Sequence, residues 1–151
     1  MRISKIISKW TVLFGILTIL SMVFIFYNSI QGPAESEERS LAIVEQVKPF
    51  LDAEDRLTEK AFNDMVRAMA HLAEFALLGF SLGGLFVSAR EWSFKKLVER
   101  VLAMALLVAV ADEILQYFTG RYTDVKDVAL DVFGAFLGVM VVNIGMGIIK
   151  K

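Results

Sequence analysis

Four long apolar stretches divide this sequence and constrain its fold more than any other feature. They cover residues 10–30, 68–89, 101–118 and 128–149, and the first carries no charged side chain over its 21 residues. A helix rises about 1.5 Å per residue, so about 20 residues cross a hydrocarbon core that is about 30 Å thick. We therefore predict an all-α, polytopic membrane protein with a four-transmembrane-helix bundle, in a single domain over residues 1–151.

Composition agrees with a membrane protein and excludes several kinds of chemistry. The chain is 56% hydrophobic, with a mean hydropathy of +0.59. A net charge of −1 without a clustered basic face excludes nucleic acid as a partner. With no cysteine and a single histidine, the chain cannot form disulfides, thiolate metal sites or a His-rich zinc site.

Residues 31–67 are predicted to form an extracytoplasmic segment that lies in water. They include nine acidic and five basic side chains. Pro49 is expected to end or bend a short amphipathic helix over residues 36–48, and Thr58 to cap the next helix. The amphipathic helix over residues 36–48 should rest on the membrane surface or on the bundle. Its apolar face is marked by residues at three- and four-residue spacing, which are Leu41, Val44, Val47 and Leu51.

Polar side chains in and around the last three spans are placed to meet. At about 100° per residue, His71 and Glu74 continue a stripe that begins in water with Lys60, Asp64 and Arg67. They therefore face a neighbouring helix rather than lipid. The third span ends with Asp112, Glu113 and Gln116 within an arc of about 100°. On the fourth span one line contains Asp127, Asp131, Gly134 and Gly138, and Gly134, Gly138 and Gly79 are expected to allow close helix packing.

Basic residues predict the orientation of the spans. They precede the first span, separate the second from the third and follow the fourth, so both termini are expected in the cytoplasm of a multi-pass cell-membrane protein. The polar residues then gather at one outward-facing level. We call this predicted set the polar cup, and its members are Arg67, His71, Glu74, Asp112, Glu113, Gln116, Arg121, Asp127 and Asp131.

Three segments resemble the VanZ-like family of membrane proteins. They read HLAEFALLG over residues 71–79, DEILQYFTGR over residues 112–121 and DVALDVFGAFLG over residues 127–138. The family pattern has an asparagine where this chain has Asp131. The resemblance implies a protein of the bacterial cell envelope with a link to low-level resistance to the glycopeptide teicoplanin, and it implies no mechanism.

Three classes of function remain open at this point. In the first, the cup binds or modifies an anionic envelope ligand among the membrane lipids, such as a lipid-linked cell-wall component or a glycopeptide, and Arg121 supplies the positive charge. The second is a membrane-embedded enzyme whose cofactor would be a divalent cation held by carboxylates from Glu74, Asp112, Glu113 or Asp131. Its candidate catalytic residues are His71, Glu74, Asp112 and Glu113, with a carboxylate as general base and His71 as proton shuttle.

The third class is a structural or partner-binding subunit, in which the polar cup only fixes helix register. Each cup residue then has an ordinary role: Glu74 pairs with Arg67, Asp127 caps the fourth helix and Arg121 neutralises Asp124. The number of charged residues argues against this interpretation. Interhelical polar contacts average only about 0.6 kcal/mol, and fixing the helix register would need fewer charged side chains. Crowded carboxylates cannot all be ionised, so we expect a cation, His71 or Arg121 to bridge some of them.

Overall fold

The computed structural model describes residues 8–52, 54–90 and 93–149. Within these ranges the chain forms five helices and no strand. The helices are α1 (Lys9–Ser29), α2 (Pro33–Leu51), α3 (Glu59–Ala89), α4 (Phe94–Phe118) and α5 (Val125–Ile149).

Four of the described helices, α1, α3, α4 and α5, are long and apolar enough to cross a membrane. This confirms the all-α, four-span prediction. Both α3 and α4 begin before the predicted spans because their first turns are polar and precede the apolar part. Thr58 caps α3 as predicted, since its hydroxyl accepts a hydrogen bond from the backbone N–H of Ala61 at 3.2 Å.

The outer helix α2 is longer than the predicted 36–48 segment and packs against α3. It begins at Pro33, whose fixed φ suits a first helical position. Pro49 was expected to end or bend the helix, but α2 continues to Leu51, because a proline in the last turn removes only one backbone donor. On the predicted apolar face Val44 is buried, whereas Leu51 is 70% exposed and does not join the contact.

Helix α3 lies at the centre of the bundle and contacts each of the other four. Its tightest neighbour is α5, because glycines remove the side chains between the two backbones. A Cβ placed on Gly134 would lie 2.5 Å from the Leu72 carbonyl oxygen, and one on Gly79 or Gly138 would overlap the facing backbone. At all three glycines the backbones of α3 and α5 therefore approach too closely for a larger side chain.

Large apolar side chains cover the outside of the spanning helices. In a membrane these surfaces face lipid, which explains why a chain with few buried side chains in α1 still forms a stable span. Examples of exposed residues are Leu13, Ile16, Leu20, Leu107, Val141 and Ile144.

Candidate functional site

The single histidine lies between two buried carboxylates from different helices. Its Nδ1 is 3.3 Å from Oδ1 of Asp131 on α5 and 3.9 Å from Oδ2 of Asp112 on α4. The shorter approach is not aligned as a hydrogen bond, so both atoms remain without a hydrogen-bond partner in the described part of the chain. His71, Asp112 and Asp131 each offer one ligand atom, and these atoms lie within 4.8 Å of one another. Among the described residues, these three side chains form the group that could hold a metal ion.

Asp112 is fixed in place by two neutral side chains. The Ser29 hydroxyl from the last turn of α1 donates to Oδ1, and the Gln116 amide donates to Oδ2 at 2.7 Å. The Thr119 hydroxyl donates in turn to the Ser29 carbonyl at 3.2 Å. Asp112 is 1% exposed and Gln116 is 2% exposed, so this arrangement is inside the bundle.

A second connection joins α1 to α3 and to the loop after α4. The amide nitrogen of Asn28 donates to a Glu74 carboxylate oxygen at 2.9 Å. The Arg121 guanidinium donates to the Asn28 carbonyl at 3.4 Å, and its backbone N–H bonds to the Gln116 carbonyl at 3.0 Å. The first helix therefore takes part in the site together with the three helices that sequence analysis selected.

These contacts surround a cavity of about 270 Å³. We call it the cup cavity. It lies between α1, α2, α3 and α4, and the side chains of Phe24 and Ile43, which are 53% and 48% exposed, form part of its wall. The cavity thus reaches the apolar outer surface of the bundle. Six of the nine predicted cup residues line it, namely Arg67, His71, Glu74, Asp112, Gln116 and Arg121.

The cup cavity is rich in guanidinium groups. Arg39 from α2 lines it together with Arg67 and Arg121. Burial lowers the pKa of Arg121 below its ordinary value, and the positive charge of Arg67 lowers it further. The Nε of Arg121 is buried and has no hydrogen-bond partner among the described residues. An anion between Arg67 and Arg121 would relieve both unfavourable effects.

Three predicted cup residues do not line the cavity. Asp131 is completely buried and touches His71 from the α5 side. Asp127 lies in the first turn of α5. Glu113 lines a different groove of about 490 Å³ between α4 and the start of α5, where both of its buried carboxylate oxygens have no partner among the described residues. Asp131 therefore stays with the cavity group through His71, whereas Glu113 is separated from it at the α4–α5 junction.

Two of the pairings expected if the polar cup only fixes helix register, which we call the scaffold interpretation, are replaced by other contacts in the structure. Glu74 accepts its hydrogen bond from Asn28 instead of pairing with Arg67. Asp124 accepts from the backbone N–H of Lys126 at 3.0 Å, so it supports the start of α5 rather than neutralising Arg121.

Sequence analysis missed the contributions of Asn28, Ser29 and Arg39. Uncharged polar residues in an apolar helix are a weak indication of a functional site. The sequence of α1 nevertheless contains a pattern that marks its buried face. Its buried residues are Thr18, Ser21, Ile25 and Ser29, which follow helical spacing and mark the face that turns toward the bundle.

Four helices long and apolar enough to cross a membrane, with a cavity lined by charged side chains among them, define a polytopic helical membrane protein. The sequence model of the VanZ/LLP1 family matches residues 14–146, and the chain belongs to this family. The resemblance seen in the three motif segments is thereby confirmed. No curated protein and no solved structure matches the chain.

Proposed function

We propose that this protein binds the anionic head group of a lipid-linked envelope component in the cup cavity, while the apolar part of that ligand stays in the bilayer. The single observation that carries the proposal is the half-buried Arg121, which lines the cavity and whose buried Nε has no hydrogen-bond partner in the part of the chain that the structure describes. A buried donor without a partner is costly, and a phosphate or carboxylate would satisfy it.

Two guanidinium groups of the cavity support an anionic ligand, beside the carboxylates of Glu74 and Asp112 that line the same cavity. Arg39 is already engaged by Glu35 at 2.8 Å and stands 5.6 Å from the centre of the Tyr27 ring. Arg67 and Arg121 make no ion pair within 4.0 Å among the described residues. Two planar guanidinium groups on one cavity match the oxygens of a phosphate, which they can bind in a bidentate manner.

The size and position of the cavity support a ligand that is only partly enclosed. Its volume of about 270 Å³ is below the range of about 300–1,000 Å³ that encloses a drug-sized molecule. A head group fits, whereas an entire glycopeptide or lipid does not. Because Phe24 and Ile43 belong both to the cavity wall and to the exposed apolar surface, a lipid tail could leave the site along them.

The proposed orientation places the cavity on the outer side of the cell membrane, with both termini in the cytoplasm. Basic residues before α1, between α3 and α4, and after α5 favour this arrangement. Reporter fusions test it directly. A reporter in the segment at residues 91–99 should be protected from reagents added outside the cell, and labelling there from outside would reverse the orientation.

A role in glycopeptide resistance follows if the ligand is one on which the drug acts. We propose that expression in a susceptible strain raises the teicoplanin concentration needed to stop growth, and that Arg121→Gln removes this effect. If the unaltered protein and Arg121→Gln give equal resistance at equal abundance in the membrane, resistance does not depend on the cup cavity.

The binding experiment uses farnesyl diphosphate as an anionic amphiphile and farnesol as its neutral counterpart. We expect the protein in detergent to bind the diphosphate saturably and to bind farnesol much more weakly. Hydrogen bonds to charged groups contribute about 1.5–3 kcal/mol, so Arg121→Gln should weaken binding by about tenfold or more. Arg121→Lys should give an intermediate affinity, because it keeps the charge and loses the bidentate geometry.

The matched control is Lys126→Gln, which removes one positive charge at the exposed start of α5 without touching the cavity. It should bind as the unaltered chain does. Equal loss in Arg121→Gln and Lys126→Gln would indicate nonspecific charge attraction. No preference for the diphosphate over farnesol would favour the scaffold interpretation and overturn the proposal.

A further inference from the structure

We propose that His71, Asp112 and Asp131 bind one divalent transition-metal ion at the inner wall of the cup cavity. This site goes beyond the proposed lipid binding and does not depend on it. Sequence analysis had placed a cation among carboxylates alone and had given His71 the role of a proton shuttle. The structure instead groups the imidazole with Asp112 and Asp131, while Glu74 accepts a hydrogen bond from Asn28 and Glu113 lies in the groove between α4 and α5.

The distances between the ligand atoms suit a first-row metal. Zinc lies about 2.0–2.2 Å from nitrogen and carboxylate oxygen, so two ligands of a tetrahedral site are about 3.4 Å apart. His71 Nδ1 and Asp131 Oδ1 are 3.3 Å apart, and His71 Nδ1 and Asp112 Oδ2 are 3.9 Å apart. The remaining pair lies within 4.8 Å. Small torsion changes that move the carboxylates together by about 1 Å would complete the geometry.

Asp131 is the observation that points to a ligand. Its side chain is fully buried, it faces His71, and neither of its oxygens has a hydrogen-bond partner in the described chain. A buried carboxylate that accepts no hydrogen bond is strongly unfavourable. One protonated imidazole would compensate only one of the two buried carboxylates, whereas a doubly charged ion balances Asp112 and Asp131 together.

The surroundings of Asp112 resemble the outer contacts of a metal ligand. Ser29 and Gln116 donate to its two oxygens and fix its orientation, while each oxygen keeps a second lone pair. Such outer hydrogen bonds orient ligating carboxylates, and their loss typically lowers metal affinity by about 10- to 100-fold.

The donor set selects the kind of ion. One imidazole nitrogen and two carboxylate oxygens suit Zn²⁺, Mn²⁺ or Fe²⁺, whereas Mg²⁺ and Ca²⁺ prefer all-oxygen sites. Three protein ligands leave a coordination position free. Because His71 and Asp112 both line the cup cavity, that position would face the cavity rather than the packed core.

The test measures metal binding without any lipid. The protein is purified in detergent with an affinity tag that contains no histidine, stripped with a chelator, and titrated with Zn²⁺ against a chromogenic chelator. We expect one Zn²⁺ per chain and no competition from Mg²⁺. Asp131→Asn and His71→Gln should each weaken binding by about 100-fold or more, and Ser29→Ala by about tenfold.

Asp64→Asn is the matched control, since it neutralises an exposed carboxylate on the same helix as His71. It should bind Zn²⁺ as the unaltered chain does. A second measurement needs no variant. Diethylpyrocarbonate modifies histidine, the chain has only one, and Zn²⁺ should slow that reaction. The absence of saturable Zn²⁺ binding by the unaltered chain, or equal affinity in Asp131→Asn, His71→Gln and Asp64→Asn, overturns the proposal.

Discussion

The hydroxyl of Ser29 donates a hydrogen bond to the buried carboxylate of Asp112, and this contact joins the last turn of α1 to α4. A second serine on the same helix offers a comparison. Ser21 donates to the Leu17 carbonyl one turn earlier at 2.8 Å; the Ser29 Oγ likewise lies 2.7 Å from the Ile25 carbonyl, so its single hydrogen is shared between that carbonyl and Asp112. Only Ser29 also reaches a carboxylate, so the two serines differ by one interhelical contact.

Ser29→Ala should therefore destabilise the bundle more than Ser21→Ala. Removing the donor leaves a buried Asp112 oxygen unsatisfied, which costs about 1–3 kcal/mol in the free energy of unfolding. Ser21→Ala loses only a hydrogen bond within its own helix. Thermal or chemical denaturation in detergent compares the variants, and equal stability would mean that the contact contributes nothing.

Gly138→Ala should destabilise the contact between α3 and α5. Its Cβ would overlap the backbone at Ala76 and Phe80, so the helices would have to separate. Forcing additional atoms into a packed contact costs typically about 1–3 kcal/mol. Gly145→Ala is the control, because its Cβ meets nothing within 4 Å. If both variants unfold at the same temperature, Gly138 does not determine how α3 and α5 pack together.

Glu113→Gln should leave both ligand sites intact. Glu113 lines the groove between α4 and α5 and not the cup cavity, so the affinities for farnesyl diphosphate and for Zn²⁺ should not change. Its buried oxygens have no partner among the described residues, so neutralising the side chain should not lower stability. Exposed Glu99→Gln provides the baseline. Loss of either ligand in Glu113→Gln alone would place Glu113 back in the site.

The turn before α3 should depend on pH through Asp52. Its carboxylate accepts from the backbone N–H of Leu57 at 2.8 Å and of Arg56 at 2.9 Å, and these bonds lower the pKa of Asp52. A lowered pKa stabilises the fold above the unfolded value of about 3.9 and loses that effect as pH falls through the folded pKa. We expect the protection of these two amides from hydrogen exchange, relative to intrinsic rates, to decline in that range.

Asp52→Ala should remove the same protection at neutral pH. Glu54→Ala is the matched control, because among the described residues Glu54 pairs with the guanidinium of Arg56 and accepts no backbone hydrogen bond. If the amides of Arg56 and Leu57 stay protected in Asp52→Ala, the turn is held by other interactions.

Hydropathy and helical periodicity predicted the parts of this fold that depend on one helix at a time. The spans follow from length and apolar content, the cap at Thr58 follows from its position, and the line of Gly134 and Gly138 follows from their spacing. Each of these signals is local, so neighbouring helices do not alter it. Pro49 shows the limit, because the position of a proline within the last turn depends on where the helix ends.

Which residues line the cavity depends on how each helix is rotated about its own axis relative to its neighbours. Asp112 and Gln116 are four residues apart and point the same way, whereas Glu113 points about 100° away and faces the α5 junction. Sequence analysis treated this arc as one surface. It also left out Asn28 and Ser29, because their role depends on the packing of α1 beside α3 and α4, which a hydrophobic span by itself does not specify.

The order of the contacting residues along the chain has a consequence for how the protein enters the membrane. In each contact between helices that a buried acid makes, the carboxylate belongs to the later helix: Glu74 follows Asn28, Asp112 follows Ser29 and His71, and Asp131 follows His71. A ribosome synthesises the earlier helix first, and an aspartate at the centre of a lone span costs about 2.5–3.5 kcal/mol on insertion. Each span that carries a buried acid therefore enters the bilayer after the residue that contacts this acid has been synthesised.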